Sequence, residues 1–209
     1  MPRSADPDVR ARLIAAAARL LADEGRQALS TRRLAAEVGT STMAVYTHFG
    51  SMDRLQHEVR REGFARLCGE LDAAARTDDP VADLAALALA YYEAGVRDLR
   101  LYRAMFADHP PTPDDEGGGV FERVLAALRR CVDAGRFHPA EPALARVWAA
   151  QVWLAIHGTL AFAHSEVLPD AANRFLLADL IERLAIGYGD DRAAAAASVS
   201  QTMRSEPSR

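Results

Sequence analysis

The sequence predicts an all-α protein in which a linking helix joins an N-terminal three-helix head, containing a helix-turn-helix, to a larger helical body. Half of the 209 residues are apolar, and alanine and leucine far outnumber the β-branched residues, which favours helix over strand. Apolar side chains recur at helical spacing along most of the chain. A chain of this length can bury a sizeable core and suits one small domain followed by a larger one.

The stretch 30–49 has the proportions of a helix-turn-helix. Ser30 and Ser41 are suited to cap two short helices, and Gly39 lies between them, where a left-handed residue ends the first helix at least cost. Val45 and Phe49 are predicted to point inward, which leaves small, hydroxyl-bearing and imidazole side chains outside. Such an outward face suits the major groove of DNA.

The second helix of this element would enter the major groove by its N-terminal residues, while the first crosses the DNA backbone. Candidate contacts to base edges are Thr40, Thr42, Met43 and Ala44. Candidate phosphate contacts are the free amides of the two helix N-termini, which Ser41 caps in the second helix, and the side chains of Ser30, Arg32, Arg33, Tyr46, Thr47 and His48. The spacing equally fits an ordinary helical hairpin in which the arginines are merely solvated.

A longer pattern decides between these alternatives. Its residues are Ile14 to Leu21, Gly25, Ser30, Leu34, Ala35, Gly39, Ser41, Tyr46, His48, Phe49, Ser51 and Leu55. In order and spacing, the chain from Val9 to Leu55 resembles the N-terminal domain of the tetracycline-repressor (TetR-like) family of transcriptional regulators. One departure is Met52, where the family often has a lysine near a backbone phosphate; Arg54 is close enough to substitute.

The resemblance implies a three-helix DNA-binding head and a helical body that dimerises and usually holds an effector. It thus implies a homodimeric repressor that binds a palindromic double-stranded DNA operator and is released by a small-molecule effector. The alternative is a helical ligand-binding or protein-interaction module without DNA binding. We predict a head over 8–54, a body over 55–190 and disordered tails at 1–7 and 191–209.

The charge distribution gives modest support for DNA binding. Residues 1–76 contain 12 arginines and 10 acidic residues, a net charge of +2, whereas residues 77–209 carry −6. The chain has no lysine, so positive phosphate contacts must come from arginine, a helix N-terminus or a protonated histidine. Binding is expected to weaken with salt, with a modest electrostatic share for each head.

Between Arg146 and Glu166 lie 19 residues without a formal charge. They are numerous enough to cross a bilayer, but polar residues are spread among them and no basic flank orients them, so we predict no membrane contact. A helix apolar on all sides must be buried on all sides, partly by a partner subunit. A last helix is predicted over 173–188. This helix and the uncharged one, together with the same two helices of the partner subunit, would form a four-helix dimer interface. The candidate interface residues are Trp148, Phe162, Leu177, Leu180 and Leu184.

The body is rich in aromatic and soft side chains that suit an effector pocket with a few polar groups. The candidates are Tyr91, Tyr102, Met105, Phe106, Phe121, Trp153 and His157. The alternative, which we favour for any single one of them, is a place in the core or the dimer interface. The tripeptide 156–158, Ile-His-Gly, resembles a tryptophan-His-Gly signature of some TetR-like C-terminal domains. The proline-, acid- and glycine-rich stretch 108–119 predicts a mobile loop.

No other kind of site is indicated. Cys68 and Cys131 form no CxxC pattern and favour a reducing compartment, and we expect a cytoplasmic protein because no signal segment is seen. His157 and His164 share a helix face, but buried hydrogen-bonded histidines explain them better than a metal site. We predict no metal, no cofactor and no catalytic residue, hence no enzyme, because hydrolase and phosphate-loop motifs are missing.

Overall fold

The computed structural model describes residues 7–74, 76–106, 116–139, 141–165 and 167–204. Over these residues the chain forms ten α-helices and one short 3-10 turn, without a strand, so the predicted all-α fold is confirmed. None of the described helices is long and apolar enough to cross a membrane. This holds also for the helix that contains the uncharged stretch.

The helices follow one another along the chain with short connections. In order they are α1 (Pro7–Glu24), α2 (Thr31–Val38), α3 (Thr42–Phe49), α4 (Met52–Ala73), α5 (Pro80–Arg97), α6 (Leu99–Phe106), α7 (Glu116–Asp133), α8 (Leu144–Ala163), α9 (Asp170–Gly187) and α10 (Arg192–Arg204). Two compact units are distinguished by their contacts. The first comprises Met1–Arg66 and Asp98–Glu116, and the second comprises Leu67–Arg97 and Gly117–Arg209.

The first unit is built on the apolar stripe of α1, against which α2 and α6 pack. Its core includes Leu13, Leu34, Phe49 and Leu55, and also Ala104 of α6. The predicted domain boundary at residue 55 is therefore wrong, because α4 as far as Arg66 and all of α6 belong to the first unit. Helical periodicity reveals an apolar face, but it does not reveal which core that face joins.

A glycine permits the close approach of α4 and α6 in the first unit. A Cβ atom at Gly63 would lie 2.6 Å from Cγ and 2.7 Å from Sδ of Met105. No side chain fits at such distances without a shift of the methionine, so α6 packs against the backbone of α4 here. Met105, predicted to line an effector pocket, is thereby a buried core residue of the first unit.

The second unit contains α5 and α7 to α10, with α5 in contact with α8, α9 and α10. Helix α7 begins at Glu116, so the predicted loop at 108–119 is wrong for its last four residues, and 108–115 lie outside the described residues. Glycine is a poor helix former in isolation, but Gly117 and Gly118 are buried at the start of α7. Tertiary packing thus outweighs the local preference of this segment.

Helix α10 corrects the predicted disordered tail at 191–209. Residues 192–204 form a helix that packs on α5 and α9 and buries Ala195, Ser198 and Val199. Residues 205–209 and 1–6 lie outside the described residues, and Pro7 begins α1 rather than belonging to a tail. An alanine-rich segment has high helix propensity, but its docking depends on partners distant in sequence.

Those partners form a polar cluster around Arg136. Its guanidinium donates two hydrogen bonds to Asp190, at 2.6 and 2.7 Å, and one to Asp79 at 3.2 Å. Ser198 of α10 donates to the other oxygen of Asp79 at 2.6 Å, and the first oxygen accepts from the amide of Val81 at the start of α5. One guanidinium thus connects the ends of α5, α7, α9 and α10.

Replacing Arg136 by methionine tests whether this cluster holds the second unit together. The carboxylate of Asp190 is only 2% exposed, and a buried charge that loses its partner is strongly unfavourable. We expect the free energy of unfolding to fall by about 3 kcal/mol, measured by urea denaturation. The matched control is Arg183→Met, which breaks an exposed pair with Asp179 and should cost under about 1 kcal/mol. Equal losses would show that the Arg136 cluster is energetically unimportant.

Candidate functional site

Helices α2 and α3 form the predicted helix-turn-helix, and local chemistry sets their ends. The hydroxyl of Ser30 accepts a hydrogen bond from the amide of Arg33 at 3.3 Å, and that of Ser41 accepts from the amide of Ala44 at 3.1 Å. Gly39 ends α2 with φ 69° and ψ 39°, in the left-handed region that glycine adopts most easily. Both predicted caps and the predicted turn are confirmed.

The orientation of α3 follows from what it buries. Val45 and Phe49 lie in the core of the first unit, as predicted from the sequence. The opposite side leaves Met43 71% exposed and Tyr46 50% exposed, beside the exposed Thr42 and Thr47. A large apolar side chain at the start of an eight-residue helix, with nothing of its own unit over it, is available to contact another molecule.

The remaining candidate residues on this surface are partly occupied. Thr47 donates its hydroxyl hydrogen to the carbonyl of Met43 at 2.9 Å, so only its oxygen lone pairs remain for a partner. His48 is half-buried with its ring 6.0 Å from that of Phe49. Thr40 and Ala44 are half-buried, at the edge of the exposed face. The strongest exposure of the face is therefore at Thr42, Met43 and Tyr46.

The arginines of the first unit differ in their ion pairing. Arg33 donates two hydrogen bonds to Glu24, one at 2.7 Å, and this carboxylate raises the pKa of the guanidinium. Arg19 pairs with Glu37 at 2.7 Å, and Arg26 with Asp53 at 2.8 Å. These acidic partners offset part of the positive charge available to phosphates. The sequence could not reveal the pairing, because the partners of these arginines are 9 to 27 positions away.

Arg32 and Arg54 are the arginines of this surface whose side chains are left unpaired. Both are exposed, and neither has a carboxylate partner in the part of the chain that the structure describes. Arg32 lies in the first turn of α2, where the helix N-terminus adds positive potential. Arg54 lies in the first turn of α4, two residues after Met52. Of the predicted phosphate contacts from arginine, Arg32 is thus better placed than Arg33.

One known protein family matches this part of the sequence. Residues 13–59 fit the family described as bacterial regulatory proteins, tetR family, from Leu13 in the core of α1 to Val59 in α4. The head is therefore a domain of the tetR type. The match covers the capping serines, the glycine turn and the exposed face of α3, so this surface is the helix-turn-helix of a tetR-family head.

The similarity to known proteins extends beyond the head. The HTH-type transcriptional regulators Rv1816 of Mycobacterium tuberculosis and Mb1846 of Mycobacterium bovis are each 28% identical over 141 residues, 64% of this chain. The matched region spans 59% of the length of these relatives.

Two solved structures share the fold. A tetR-family regulatory protein from Rhodococcus RHA1 has a TM-score of 0.71 at 22% identity, covering 89% of this chain and 100% of that one. The structure of RolR in complex with resorcinol has a TM-score of 0.65 at 18% identity, covering 96% of each chain. At these identities the likeness establishes the fold alone.

The residues predicted to line an effector pocket divide between the two units. Tyr102, Met105 and Phe106 belong to the first unit, where the rings of Tyr102 and Phe106 lie 4.9 Å apart. The other four form an aromatic cluster in the second unit. Its members, here called the Trp153 cluster, are Tyr91, Phe121, Trp153 and His157. A single pocket within one unit formed by all seven residues is therefore excluded.

His157 has a defined chemical state in the Trp153 cluster. Its ring stacks on Trp153 with centroids 4.7 Å apart, and its Nε2 lies 2.9 Å from the hydroxyl of Tyr91. Burial lowers the pKa of His157 to about 4, so the imidazole is neutral at pH 7. His157 and His164 are both half-buried and hydrogen-bonded, His164 with its Nδ1 2.7 Å from the carbonyl oxygen of Leu160.

The predicted dimer-interface residues have different environments. Leu177 is fully buried within its own protomer, so its assignment to an interface is wrong. Leu180 and Leu184 are half-buried, and so is Trp148, which stacks on Tyr188 with centroids 4.4 Å apart. Phe162 is 48% exposed. The sequence shows that α8 and α9 are apolar, but it does not indicate which side of each helix faces its own core.

Three exposed apolar residues of α8 and α9 were not among the predicted interface residues. They are Val147, Leu154 and Phe175. Leu154 is 67% exposed, and Val147, Leu154 and Phe162 recur at seven and eight residues, which places them on one side of α8. The exposed positions between them include Gln151 and Gly158, so this side of α8 carries no charge. The spacing from Val147 is the signal that could have identified it.

The neutral state of His157 makes stability depend on pH in a defined window. The folded pKa of about 4 lies below the unfolded value of 6.5, so the unfolded chain binds more protons between these values. The stability that the neutral His157 contributes is fully present above pH 6.5. As pH falls toward 4 this contribution is lost, and the free energy of unfolding falls by up to about 3 kcal/mol.

Substituting His157 by glutamine tests this linkage. Glutamine can still accept a hydrogen bond from Tyr91, but it does not titrate. We expect the free energy of unfolding of the variant to depend less on pH between 6.5 and 4 than that of the parent chain, measured by urea denaturation at several pH values. Carboxylates titrate in the same pH window in both proteins. The difference between the two pH profiles of unfolding free energy is therefore due to His157. Parallel pH profiles would contradict a depressed pKa.

Proposed function

We propose that this chain is a transcriptional repressor that binds a palindromic DNA operator as a homodimer and releases it when a small molecule binds the second unit. The observation that carries the proposal is the exposed, uncharged start of α3, held by capped helices within the region that matches the tetR family. In a helix-turn-helix, that part of the second helix enters the major groove.

Base contacts are proposed for the start of α3. Met43 and the methyl groups of Thr42 and Ala44 suit the methyl group of thymine, and the hydroxyl groups of Thr40 and Thr42 suit either kind of base edge. Tyr46, Thr47 and His48 lie later in α3 and suit phosphates, together with Ser30, Arg32 and Arg33. Because Arg33 already pairs with Glu24, we assign the larger electrostatic share to Arg32, with Arg54 in place of the family's lysine.

A selection experiment with two variants separates base contacts from phosphate contacts. The purified chain is used to enrich sequences from a random duplex pool, and the product is expected to be an inverted repeat with half-sites about 34 Å apart. Arg32→Ala should weaken binding to all enriched sequences and reduce the salt slope by about one for each head. Met43→Ala should instead change the preferred bases.

Arg129→Ala is the control, because Arg129 is an exposed arginine on α7 in the second unit. It should leave both the affinity and the salt slope unchanged. If Met43→Ala lowered the affinity for every enriched sequence by the same factor, the assignment of base contacts would be contradicted. A pool that stays unenriched at low salt would favour the alternative function, a helical ligand-binding or protein-interaction module.

Dimerisation is proposed to use the uncharged side of α8 together with the exposed part of α9. Val147, Leu154 and Phe162 are exposed on α8, and Phe175 is exposed near the start of α9. Exposed apolar residues on two helices that contact each other are typical of a subunit interface. A two-fold axis through this surface would bring four helices together, which buries each apolar side against its symmetry mate.

Leu154→Glu tests the proposed interface, because Leu154 is exposed and its replacement should leave the protomer core intact. We expect a monomer by light scattering and operator affinity lowered at least tenfold, since a buried unpaired charge opposes association. Ala197→Glu is the control, on the exposed side of α10. A Leu154→Glu chain that remains dimeric would place the interface elsewhere. Leu180 is a poorer test because it is half-buried in its own protomer.

Effector binding is proposed for the second unit. The Trp153 cluster offers an apolar wall with two polar groups, the Tyr91 hydroxyl and the neutral imidazole of His157, which is the composition of many small-molecule sites. The structural neighbour RolR was solved with resorcinol, and the shared fold supports a ligand-binding role here. A ligand would release DNA only if it binds the DNA-incompetent state more tightly.

A further inference from the structure

The second unit contains an open cleft of about 250 Å³, between the end of α4, the start of α5 and α7. It is separate from the Trp153 cluster, with which it shares no lining residue. Its floor is apolar and is formed by Leu71, Leu87 and two alanines of α7, Ala126 and Ala127. The volume lies just below the range of about 300–1,000 Å³ that holds drug-sized ligands, so the cleft suits a smaller molecule.

The rim of this cleft is positively charged. Three arginines, Arg76, Arg123 and Arg130, line it together with two carboxylates, Asp72 and Asp83. The formal charge of the lining is therefore +1. Cationic groups at the edge of an apolar floor favour a ligand that combines one negative charge with an apolar body.

Two of the arginines are held by the carboxylates. Arg123 donates from Nε to Asp72 at 2.7 Å and again from Nη2, and its Nη1 bonds the carbonyl of Gly119. Arg130 donates to Asp83 at 2.6 Å and to the carbonyl of Thr77 at 3.1 Å. Both guanidiniums are thus fixed in place, with their charges largely balanced by bonded partners.

Arg76 is different. It is exposed at the rim, and its guanidinium makes no hydrogen bond or close ion pair among the residues that the structure describes, although it interacts electrostatically with Asp72. Its charge supplies the excess of +1, and its planar fork can donate a hydrogen bond to each oxygen of a carboxylate. We propose that the cleft binds a small organic carboxylate, with the carboxylate group at Arg76 and the apolar part on Leu71, Leu87 and Ala126.

Asp72 makes the site selective. Its carboxylate lies on the same rim and repels any anion that binds there, so the charge of Arg76 alone is not sufficient and binding depends on Arg76 and on apolar contact together. A bare anion without an apolar body gains nothing from the floor, and an uncharged apolar molecule gains nothing from Arg76. The claim that this cleft is the effector site of a repressor rests on the proposed function. The claim that it binds a carboxylate does not.

Three probes of related shape test the proposal by calorimetric titration of the full chain at low salt and pH 7. Hexanoate should bind saturably, whereas hexanamide, which lacks the charge, and acetate, which lacks the apolar body, should each bind at least about tenfold more weakly. Added salt should weaken hexanoate binding and leave hexanamide unchanged. Equal binding of hexanoate and hexanamide, or no saturable binding of hexanoate, would overturn the proposal.

Three variants localise the site. Arg76→Gln should weaken hexanoate binding about tenfold without changing hexanamide, and Asp72→Asn should strengthen it, because repulsion is removed and Arg123 is released. Arg129→Gln is the matched control on α7, since Arg129 is exposed and does not line the cleft. Equal effects of Arg76→Gln and Arg129→Gln would overturn the assignment to this cleft.

The random-duplex selection, run without ligand, separates this proposal from the proposed function. An enriched inverted repeat with no hexanoate binding would disprove the cleft alone. Saturable, Arg76-dependent binding with an unenriched pool would support the carboxylate site and disprove its role in a repressor.

Discussion

Burial of Val45 and Phe49 is the constraint on which the DNA-facing surface depends. An isolated helix of eight residues is not stable in water, because the cost of nucleation is not recovered over so few hydrogen bonds. Capping by Ser41 satisfies one free amide, but the position of the helix comes from its contacts with the core of the first unit. Once those two side chains are inward, Thr42, Met43 and Tyr46 must face out.

The charges of the head add a second constraint. With no lysine, and with Arg19, Arg26 and Arg33 already paired to carboxylates, long-range attraction to phosphate is weak. These exposed pairs contribute little to stability, but they orient guanidiniums and cancel charge. If it binds DNA as proposed, a surface of this kind should depend more on close contact with base edges, and on the doubling of contacts in the proposed dimer, than on general attraction to DNA. The exposed methionine of α3 is consistent with that balance.

Local chemistry could be predicted from the sequence, and long-range packing could not. The caps at Ser30 and Ser41 and the turn at Gly39 are set by side chains within three residues of the groups that they satisfy, so reading the chain in order suffices. The exposed side of α8 and the burial of Leu177 depend on which of several apolar stripes meets its own core. Helix α10 depends on Arg136, which is 62 positions from Ser198. No periodicity carries that information.

The course of α4 bears on how a ligand in the second unit could matter to the first. α4 is one continuous helix from Met52 to Ala73: Leu55 and Val59 belong to the core of the first unit, and Leu71 lines the cleft. A ligand on Leu71 would therefore contact the same helix that contributes Leu55 and Val59 to that core. Its effect on DNA binding is limited by the difference in its affinity for two states of the protein, and a tenfold difference is worth about 1.4 kcal/mol.

Two such sites in a dimer would shift the equilibrium about a hundredfold, whereas a complete switch from 1:99 to 99:1 needs about 10⁴-fold. A ligand that makes one charged contact at Arg76 and covers a small apolar floor has few interactions that can differ between states. Such a site suits a graded response. A complete switch would need further differential contacts, and the Trp153 cluster, with its neutral imidazole and Tyr91 hydroxyl in the same unit, is the part of the second unit that could provide them.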